Sequence, residues 1–182
     1  MKASNKLILA LIIINFFPAI SATGVFKNVW IDRSAQHDVT LSVMDGESEG
    51  ETSSILLKGG GNLNSKRDWV ISDSVKNCPQ DADISIYPNS FELVDLLKNN
   101  DYYVLLSYRI SCSGGVDPGE VKYFAYNNGK KYSLRGQETI KADGSKMGGE
   151  GNVIADENLN NNLPLLNYMK GKWDLISTTA FN

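Results

Sequence analysis

The sequence predicts a mainly β domain of the α+β class, with antiparallel, sandwich-like sheets, one C-terminal helix and one disulfide. Three observations support this class. Apolar and polar residues alternate with a period of two along several short segments, as half-buried strands require. Asn128-Gly129, the strongest short hairpin signal in the chain, separates two such segments. Helical spacing of apolar residues is credible only in residues 158–177.

Residues 1–22 resemble a secretory signal peptide. Lys2 and Lys6 precede the apolar run 7–17, and Pro18 and small residues follow it. The run is shorter than the ~20 apolar residues that span a bilayer. We therefore expect residues 23–182 to form one domain located in the periplasm or secreted, with no membrane span after cleavage. The alternative is an uncleaved membrane anchor.

The first half of this domain contains five predicted strands. Aromatic and β-branched residues predict a strand at 25–32, and residues 37–45 alternate with Val39, Leu41 and Val43 on one face. Shorter strands are predicted at 54–58, 68–73 and 84–87. Residues 59–62 (GGGN) are expected to form a loop, because ordering glycine is entropically costly.

A central hairpin is predicted from residues 91–95 and 102–111. Residues 103–110 are apolar on both faces, which indicates a strand covered on both sides. The intervening turn starts at Asp95, but Leu97 and Asn100 occupy positions where a calcium loop needs an oxygen and a glycine. We expect a plain hairpin turn and no metal site.

The last part of the chain combines a hairpin, a glycine-rich stretch and a helix. Residues 121–127 and 131–135 form the two strands around Asn128-Gly129. Residues 141–151 are rich in glycine and are expected to be mobile. Residues 158–177 predict the helix, with Pro164 acceptable in its first turn.

Cys78 and Cys112 are the only cysteines. In an exported chain they most simply form a structural disulfide. The alternative is a pair of buried free thiols.

Composition and motifs favour no catalytic function. The formal net charge is −3, and becomes −5 without Lys2 and Lys6 of the signal peptide, so no basic footprint for nucleic acid is present. The single His37 has no nucleophile motif beside it, since Ser113 lacks the G-x-S-x-G frame. We predict a protein that is not an enzyme, with no catalytic residues and no cofactor. A hydrolase that uses Asp81 and Asp83 is the enzymatic alternative.

Candidate binding residues come from the tyrosine-rich central strands. Aromatic side chains on one sheet face stack on sugars or anchor a protein partner, although ordinary sheet packing explains them too. Arg109 lies inside an apolar strand and is expected either to pair with an acid such as Asp95 or to emerge at the strand end. The candidates are Tyr103, Tyr108, Arg109, Tyr123 and Tyr126.

The order of several motifs resembles a family of small exported bacterial proteins labelled surface polysaccharide biosynthesis. The motifs include Trp69 with Asp73, Cys78, the segment 112–117 (CSGGVD) and the segment 132–136 (YSLRG). Family members carry an Asp-rich turn like a degenerate calcium loop, and this chain departs from it at residues 95–101 (DLLKNND). The resemblance implies the fold, a cell-envelope location and a link to surface polysaccharide, but no catalytic residues.

The sequence therefore predicts a non-enzymatic binding or accessory protein of the periplasm or cell envelope. Its partner is expected to be a protein or an envelope glycan. The alternative is a periplasmic immunity or inhibitor protein that neutralises a toxin or hydrolase, because an acidic surface speeds encounter with a basic partner.

Overall fold

The structure is a computed structural model that describes residues 24–31, 36–44, 53–61, 69–87 and 89–181. The predicted signal peptide, residues 1–22, lies outside the described residues. The predicted fold class is confirmed: the chain is mainly β with antiparallel sheets, helices near the C-terminal end and a Cys78–Cys112 disulfide. A four-stranded outer sheet covers one face of a central sheet, and helices cover the other face.

The outer sheet is an antiparallel meander of four strands. Its strands are β1 (Gly24–Ile31), β2 (Gln36–Met44), β3 (Ser53–Gly61) and β4 (Trp69–Val75), which pair in chain order. Alternate apolar residues of β2 and β3 point to the central sheet and are almost fully buried, as the period-two pattern predicts.

The expectation of a loop at residues 59–61 is wrong, because all three glycines belong to β3. Gly59 pairs with Trp69 across the sheet, and a Cβ on Gly59 would overlap the indole ring. Glycine is thus used here for a close approach of backbone to a large side chain. Asn62 lies outside the described residues.

The central sheet is built around the longest strand. Its first strands are β5 (Ala82–Ile86), β6 (Glu92–Asp95), β7 (Tyr102–Cys112), β8 (Glu120–Asn127) and β9 (Lys130–Gln137). β7 pairs with β8 on one side and with β5 and β6, end to end, on the other. The prediction that β7 is covered on both faces is confirmed, since its alternate residues enter two separate apolar cores.

The β8–β9 hairpin turns at Asn128-Gly129, as predicted. Both residues have positive φ, 47° and 81°, which the type I′ turn requires. This turn fixes the register that places Lys122 opposite Arg135.

Residues 141–151 are more regular than expected. β10 (Thr139–Ala142) and β11 (Ser145–Gly148) form a hairpin whose turn, Asp143-Gly144, also has positive φ at both positions. Asp-Gly is a hairpin signal of the same kind as Asn-Gly. β12 (Ile154–Ala155) then pairs with β9 at the edge of the central sheet.

The predicted C-terminal helix is two helices. α1 (Glu157–Asn160) is capped by Asp156, and α2 (Leu163–Ile176) is capped by Asn162 and carries Pro164 in its first turn, as expected. A final strand, β13 (Thr178–Phe181), pairs in parallel with β10. Neither helix of the described chain is long and apolar enough to cross a bilayer.

The disulfide joins the segment before β5 to the end of β7. The two Cα atoms are 5.7 Å apart, and Cys112 pairs with Ala82 in the sheet ladder. The bond therefore holds β5 against its neighbour in the central sheet.

Candidate functional site

The candidate tyrosines do not share one sheet face. Tyr108 and Tyr126 face the outer sheet, whereas Tyr103 and Tyr123 face the helices. Tyr108 is 2% exposed and Tyr123 is fully buried. The expectation of one aromatic binding face is therefore wrong, because side chains alternate across a strand and an odd spacing puts two tyrosines on opposite faces.

The hydroxyl groups of the buried tyrosines reach polar side chains. Tyr108 Oη donates to Asp73 Oδ2 at 2.9 Å, and Tyr103 Oη accepts from the Asn162 side-chain amide at 3.1 Å. Burial, followed by the negative charge of Asp73, raises the pKa of Tyr108. These tyrosines pack within the sheets, and the Tyr108 hydroxyl bonds Asp73, a residue that lines a polar cavity open to solvent.

Arg109 does not pair with Asp95. Its guanidinium bonds Asp83, with Nε 3.0 Å from Oδ2, and its Nη1 lies 3.3 Å from Glu138 Oε2. Burial lowers the pKa of Arg109, but the bonds and charges of Asp83 and Glu138 outweigh this and raise it overall. Asp95 instead accepts the backbone N–H groups of Asn99 and Asn100 at 3.0 and 2.8 Å, which closes the turn between β6 and β7.

Arg109 belongs to a polar group that we call the Glu138 cluster: Asp83, Tyr87, Arg109, Glu138 and Thr179. The Glu138 side chain is 0% exposed and accepts from Tyr87 Oη at 3.1 Å, from the Gly119 N–H at 3.0 Å, and from Arg109 and Thr179. A buried carboxylate with four donors is well satisfied. The Glu138 cluster therefore joins β5, β7 and β13 to the junction between β9 and β10, which is a structural role.

A second polar group lies where the outer sheet leaves part of the central sheet open. This cationic recess has a volume of about 220 Å³ beside β4. It is lined by Ser72, Asp73, Tyr108, Lys122, Tyr123, Phe124, Lys131, Ser133 and Arg135.

The pairing of β8 with β9 places the side chains that line the cationic recess on one face of the hairpin. Lys122 pairs with Arg135 and Phe124 pairs with Ser133, so their side chains project from the same face of β8 and β9. Lys131 lies two positions from Ser133 on the same face of β9. Tyr126, the strand partner of Lys131, stacks on the Trp69 ring of the outer sheet with centroids 3.9 Å apart.

The charges of the cationic recess are only partly matched. Lys122 Nζ lies 2.6 Å from Asp73 Oδ2 and 3.9 Å from Glu120 Oε2, and Arg135 Nη1 lies 3.6 Å from Glu120 Oε1. Lys131 Nζ lies 5.1 Å from the centroid of the Phe124 ring, a cation–π contact. In the described part of the chain, three cations thus share two nearby carboxylates.

The pKa shifts agree with this arrangement. Burial acts to raise the pKa of Asp73, but hydrogen bonds from Lys122 and Tyr108 lower it below its usual value, so Asp73 is ionised at neutral pH. Burial of the ammonium, followed by the positive charge of Arg135, lowers the pKa of Lys131. The recess therefore holds Lys131 in surroundings that disfavour its charge.

The arrangement suits binding of an anion. Lysine and arginine donors bind carboxylate and phosphate groups, and Ser133, on the same face of β9 as Lys131 and Arg135, adds a neutral hydroxyl group. Among the described residues, no three His, Cys, Asp or Glu side chains lie close enough together to hold a metal ion. Asp83, one of the two acids of the hydrolase alternative, is ion-paired with Arg109, and Asp81 is exposed just before β5.

Sequence reasoning missed the cationic recess, although a signal existed. Once Asn128-Gly129 is accepted as a two-residue turn, the pairing of Lys122 with Arg135 follows by counting along the strands. The position of Asp73 opposite this pair depends on how the two sheets pack, which no local pattern gives.

Comparison of the chain with protein-family models, with curated proteins and with solved structures finds no match.

Proposed function

We propose that this protein is an exported, non-enzymatic binding protein of the cell envelope, and that it holds an anionic group of a surface polysaccharide in the cationic recess. The observation that carries the proposal is the convergence of Lys122, Lys131 and Arg135 on one small cavity. Among the described residues, the only carboxylates in contact with these cations are Asp73 and Glu120. An anionic ligand would complete the match of charges.

The rest of the molecule supports a binding role at this place. A disulfide is typical of exported proteins, and it is compatible with the periplasm or the cell exterior. Helices cover the opposite face of the central sheet. The cationic recess lies on the face toward the outer sheet, beside β4, where its polar lining is open to solvent. Asp73 is tied to Lys122 and Tyr108. It therefore positions the cations and is poorly suited to act as a general base.

The test compares polysaccharides that differ in charge. Purified protein is titrated by calorimetry with polysaccharides that bear uronic acids, that bear phosphate, or that are neutral. We expect saturable binding to an anionic polysaccharide. In the double variant Lys131→Glu/Arg135→Glu this binding weakens at least about tenfold, which corresponds to ~1.4 kcal/mol.

The matched control is Lys130→Glu/Lys141→Glu, which makes the same change of charge outside the recess. Equal weakening by the control would mean that only overall charge matters. Binding to none of the anionic polysaccharides, or binding that the recess variant leaves intact, would contradict the proposal.

The immunity or inhibitor function is the second candidate, and β1 favours it. Among the described strands β1 pairs only with β2, and its side chains Val25, Val29 and Ile31 are 72%, 50% and 71% exposed. An edge strand with exposed apolar side chains can accept an extended segment of a toxin or hydrolase.

This candidate predicts that an envelope extract contains one protein that binds in a 1:1 ratio. The variant Val29→Lys, which places a charge on that exposed face, should abolish its capture, whereas Lys131→Glu/Arg135→Glu should not. A captured protein that is insensitive to Val29→Lys would exclude β1 as the contact.

A further inference from the structure

We propose that the cationic recess selects a singly charged carboxylate, as found in an acidic sugar residue, over a doubly charged phosphate monoester, and that Lys131 and Arg135 are the residues that contact it. This inference rests on the proposed function and names the class of ligand that the same site takes.

The first argument is the charge balance of the recess. Within ion-pair distance, the carboxylates of the described structure beside the three cations are Asp73 and Glu120, which leaves an excess of one positive charge among the groups in contact. One carboxylate neutralises that excess. A phosphate monoester carries about −1.5 to −2 at neutral pH, so it would leave a net negative charge beside two fixed carboxylates.

The second argument is that the three cations differ in how firmly the chain already pairs them. Lys122 is committed to Asp73, since its ammonium lies 2.6 Å from one carboxylate oxygen. The Arg135 side chain is 50% exposed, and among the described residues its one ion pair is with Glu120, with Nη1 3.6 Å from Oε1. A planar guanidinium can bind a planar carboxylate with two parallel hydrogen bonds. Arg135 can thus take a ligand carboxylate while it stays near Glu120.

Lys131 supplies the second positive charge toward the ligand. Its ammonium lies over the Phe124 ring, and no described carboxylate lies within ion-pair distance of it. Asp156 acts on Lys131 only at longer range, and its oxygens are engaged by the N–H groups of Ser133 and Leu159.

The third argument is the shape and polarity of the cavity. About 220 Å³ is below the roughly 300–1,000 Å³ of pockets for drug-sized ligands, so the recess suits a single sugar ring. Ser133 lies between Lys131 and Arg135 on the same face of β9 and offers a hydroxyl group that can donate to or accept from the hydroxyl groups of a sugar. A carboxylate flanked by hydroxyls on one ring is the chemistry of a uronic acid.

The test is an NMR titration of the full protein with methyl glucuronide, glucose 6-phosphate and methyl glucoside at pH 7 and equal ionic strength. We expect the glucuronide to shift the backbone amides of Lys122, Lys131 and Arg135 in a saturable way, with a dissociation constant at least about fivefold below that of the phosphate. The neutral glucoside should give no saturable shift at these positions.

Two variants locate the contact. Lys131→Met should weaken glucuronide binding about five- to tenfold, and Arg135→Lys should weaken it as well, because the charge remains but the planar fork is lost. The control Lys130→Met, one residue away on the same strand, should bind as the unaltered protein does. Thermal melts of all three variants establish that each is folded.

The possible results separate this inference from the proposed function. Tighter or equal binding of the phosphate, glucuronide shifts outside the recess, or no shift at tens of millimolar ligand would overturn the choice of a carboxylate. A phosphate-bearing polysaccharide that still binds at the recess would leave the proposed function standing. Recess shifts with the glucuronide but no binding of any polysaccharide would overturn the proposed function and support the ligand class.

Discussion

The Glu138 cluster and the cationic recess use the same kinds of residue in different surroundings. In the Glu138 cluster, a carboxylate with 0% exposure receives four donors, and Arg109 has a second acid in Asp83. In the recess, partly exposed cations share Asp73 and Glu120 within the described chain. A buried carboxylate whose hydrogen bonds are all supplied by the chain holds strands together, whereas cations in excess at an opening are available to a ligand.

The difference follows from where each group lies in the sandwich. The Glu138 cluster lies where four strands meet, so its groups find partners within the chain. The recess lies beside β4, where β9 exposes Lys131 and Arg135. Changes at the first group should therefore affect stability, and changes at the second should affect binding.

The largest effect is expected from Glu138→Ala. Arg109 would lose one of its two acids, and Tyr87 and the Gly119 N–H would lose their acceptor in a buried place. Removing one partner of a buried ion pair costs about 3–5 kcal/mol of unfolding free energy. Urea denaturation measures this loss. A loss below about 1 kcal/mol would show that the cluster does not hold the strands together.

A somewhat smaller effect is expected from the double variant Cys78→Ser/Cys112→Ser. The two residues are 34 positions apart, and a loop of that size contributes ~3–4 kcal/mol in the chain-entropy model. Denaturation midpoints of the variant and the oxidised protein give the difference. The bond lies beside β5 and Asp83, which do not line the cationic recess. Glucuronide binding at 10 °C should therefore be unchanged in the variant. Lost binding in a folded variant would mean that the two regions are coupled.

A change in the cationic recess should weaken binding and leave stability nearly unaltered. Lys131→Met is expected to weaken ligand binding about five- to tenfold, and to leave the melting temperature unchanged or slightly higher. The physical reason is that the change removes a partly buried ammonium that Arg135 repels. Differential scanning calorimetry without ligand measures the stability. A clear drop of the melting temperature would assign Lys131 a structural role.

The smallest effect is a dependence on alkaline pH. The pKa of Lys131 is lowered in the folded protein, so its charge destabilises the fold at pH values below that pKa, and this cost falls as the pH rises from there to the higher pKa of a lysine in the unfolded chain. A bound carboxylate favours the charged form, so ligand binding is strongest below the pKa of Lys131 and weakens above it.

Binding measured from pH 7 upward should therefore decline before an ordinary lysine titrates near ~10.4, and the decline should be absent in Lys131→Met. A decline that persists in Lys131→Met would assign the titration to another group. The charged groups that face Lys131 are Asp73, Lys122, Arg135 and Asp156.

The fold was predictable because its main signals are local. The two-sided apolar pattern of 103–110 identifies the doubly covered β7, and Asn128-Gly129 fixes the β8–β9 hairpin. The hairpin at Asp143-Gly144 carries the same turn chemistry, but its strands are short and half exposed, so their alternation gives little signal. The glycines of β3 were misjudged because the reason for Gly59 is Trp69, a residue on another strand.

The site was less predictable because it depends on contacts between distant segments. The parity of positions separates Tyr103 from Tyr108, which differ by five, and this could have ruled out one aromatic face. The partner of Arg109 could not be chosen from sequence, since Glu138 is 29 residues away and reaches it through the packing of β10. The ion pair between Asp73 of the outer sheet and Lys122 of the central sheet cannot be predicted from local patterns either.

The position of the disulfide has a consequence for proteolysis. A protease that cuts once between Cys78 and Cys112, for example in the turn between β6 and β7, produces two fragments that the bond keeps in one covalent molecule. The cut removes a connection, but the β5–β7 and β6–β7 ladders still hold each strand in its place. A nicked protein of this kind migrates as one band without a reducing agent and as two bands with it.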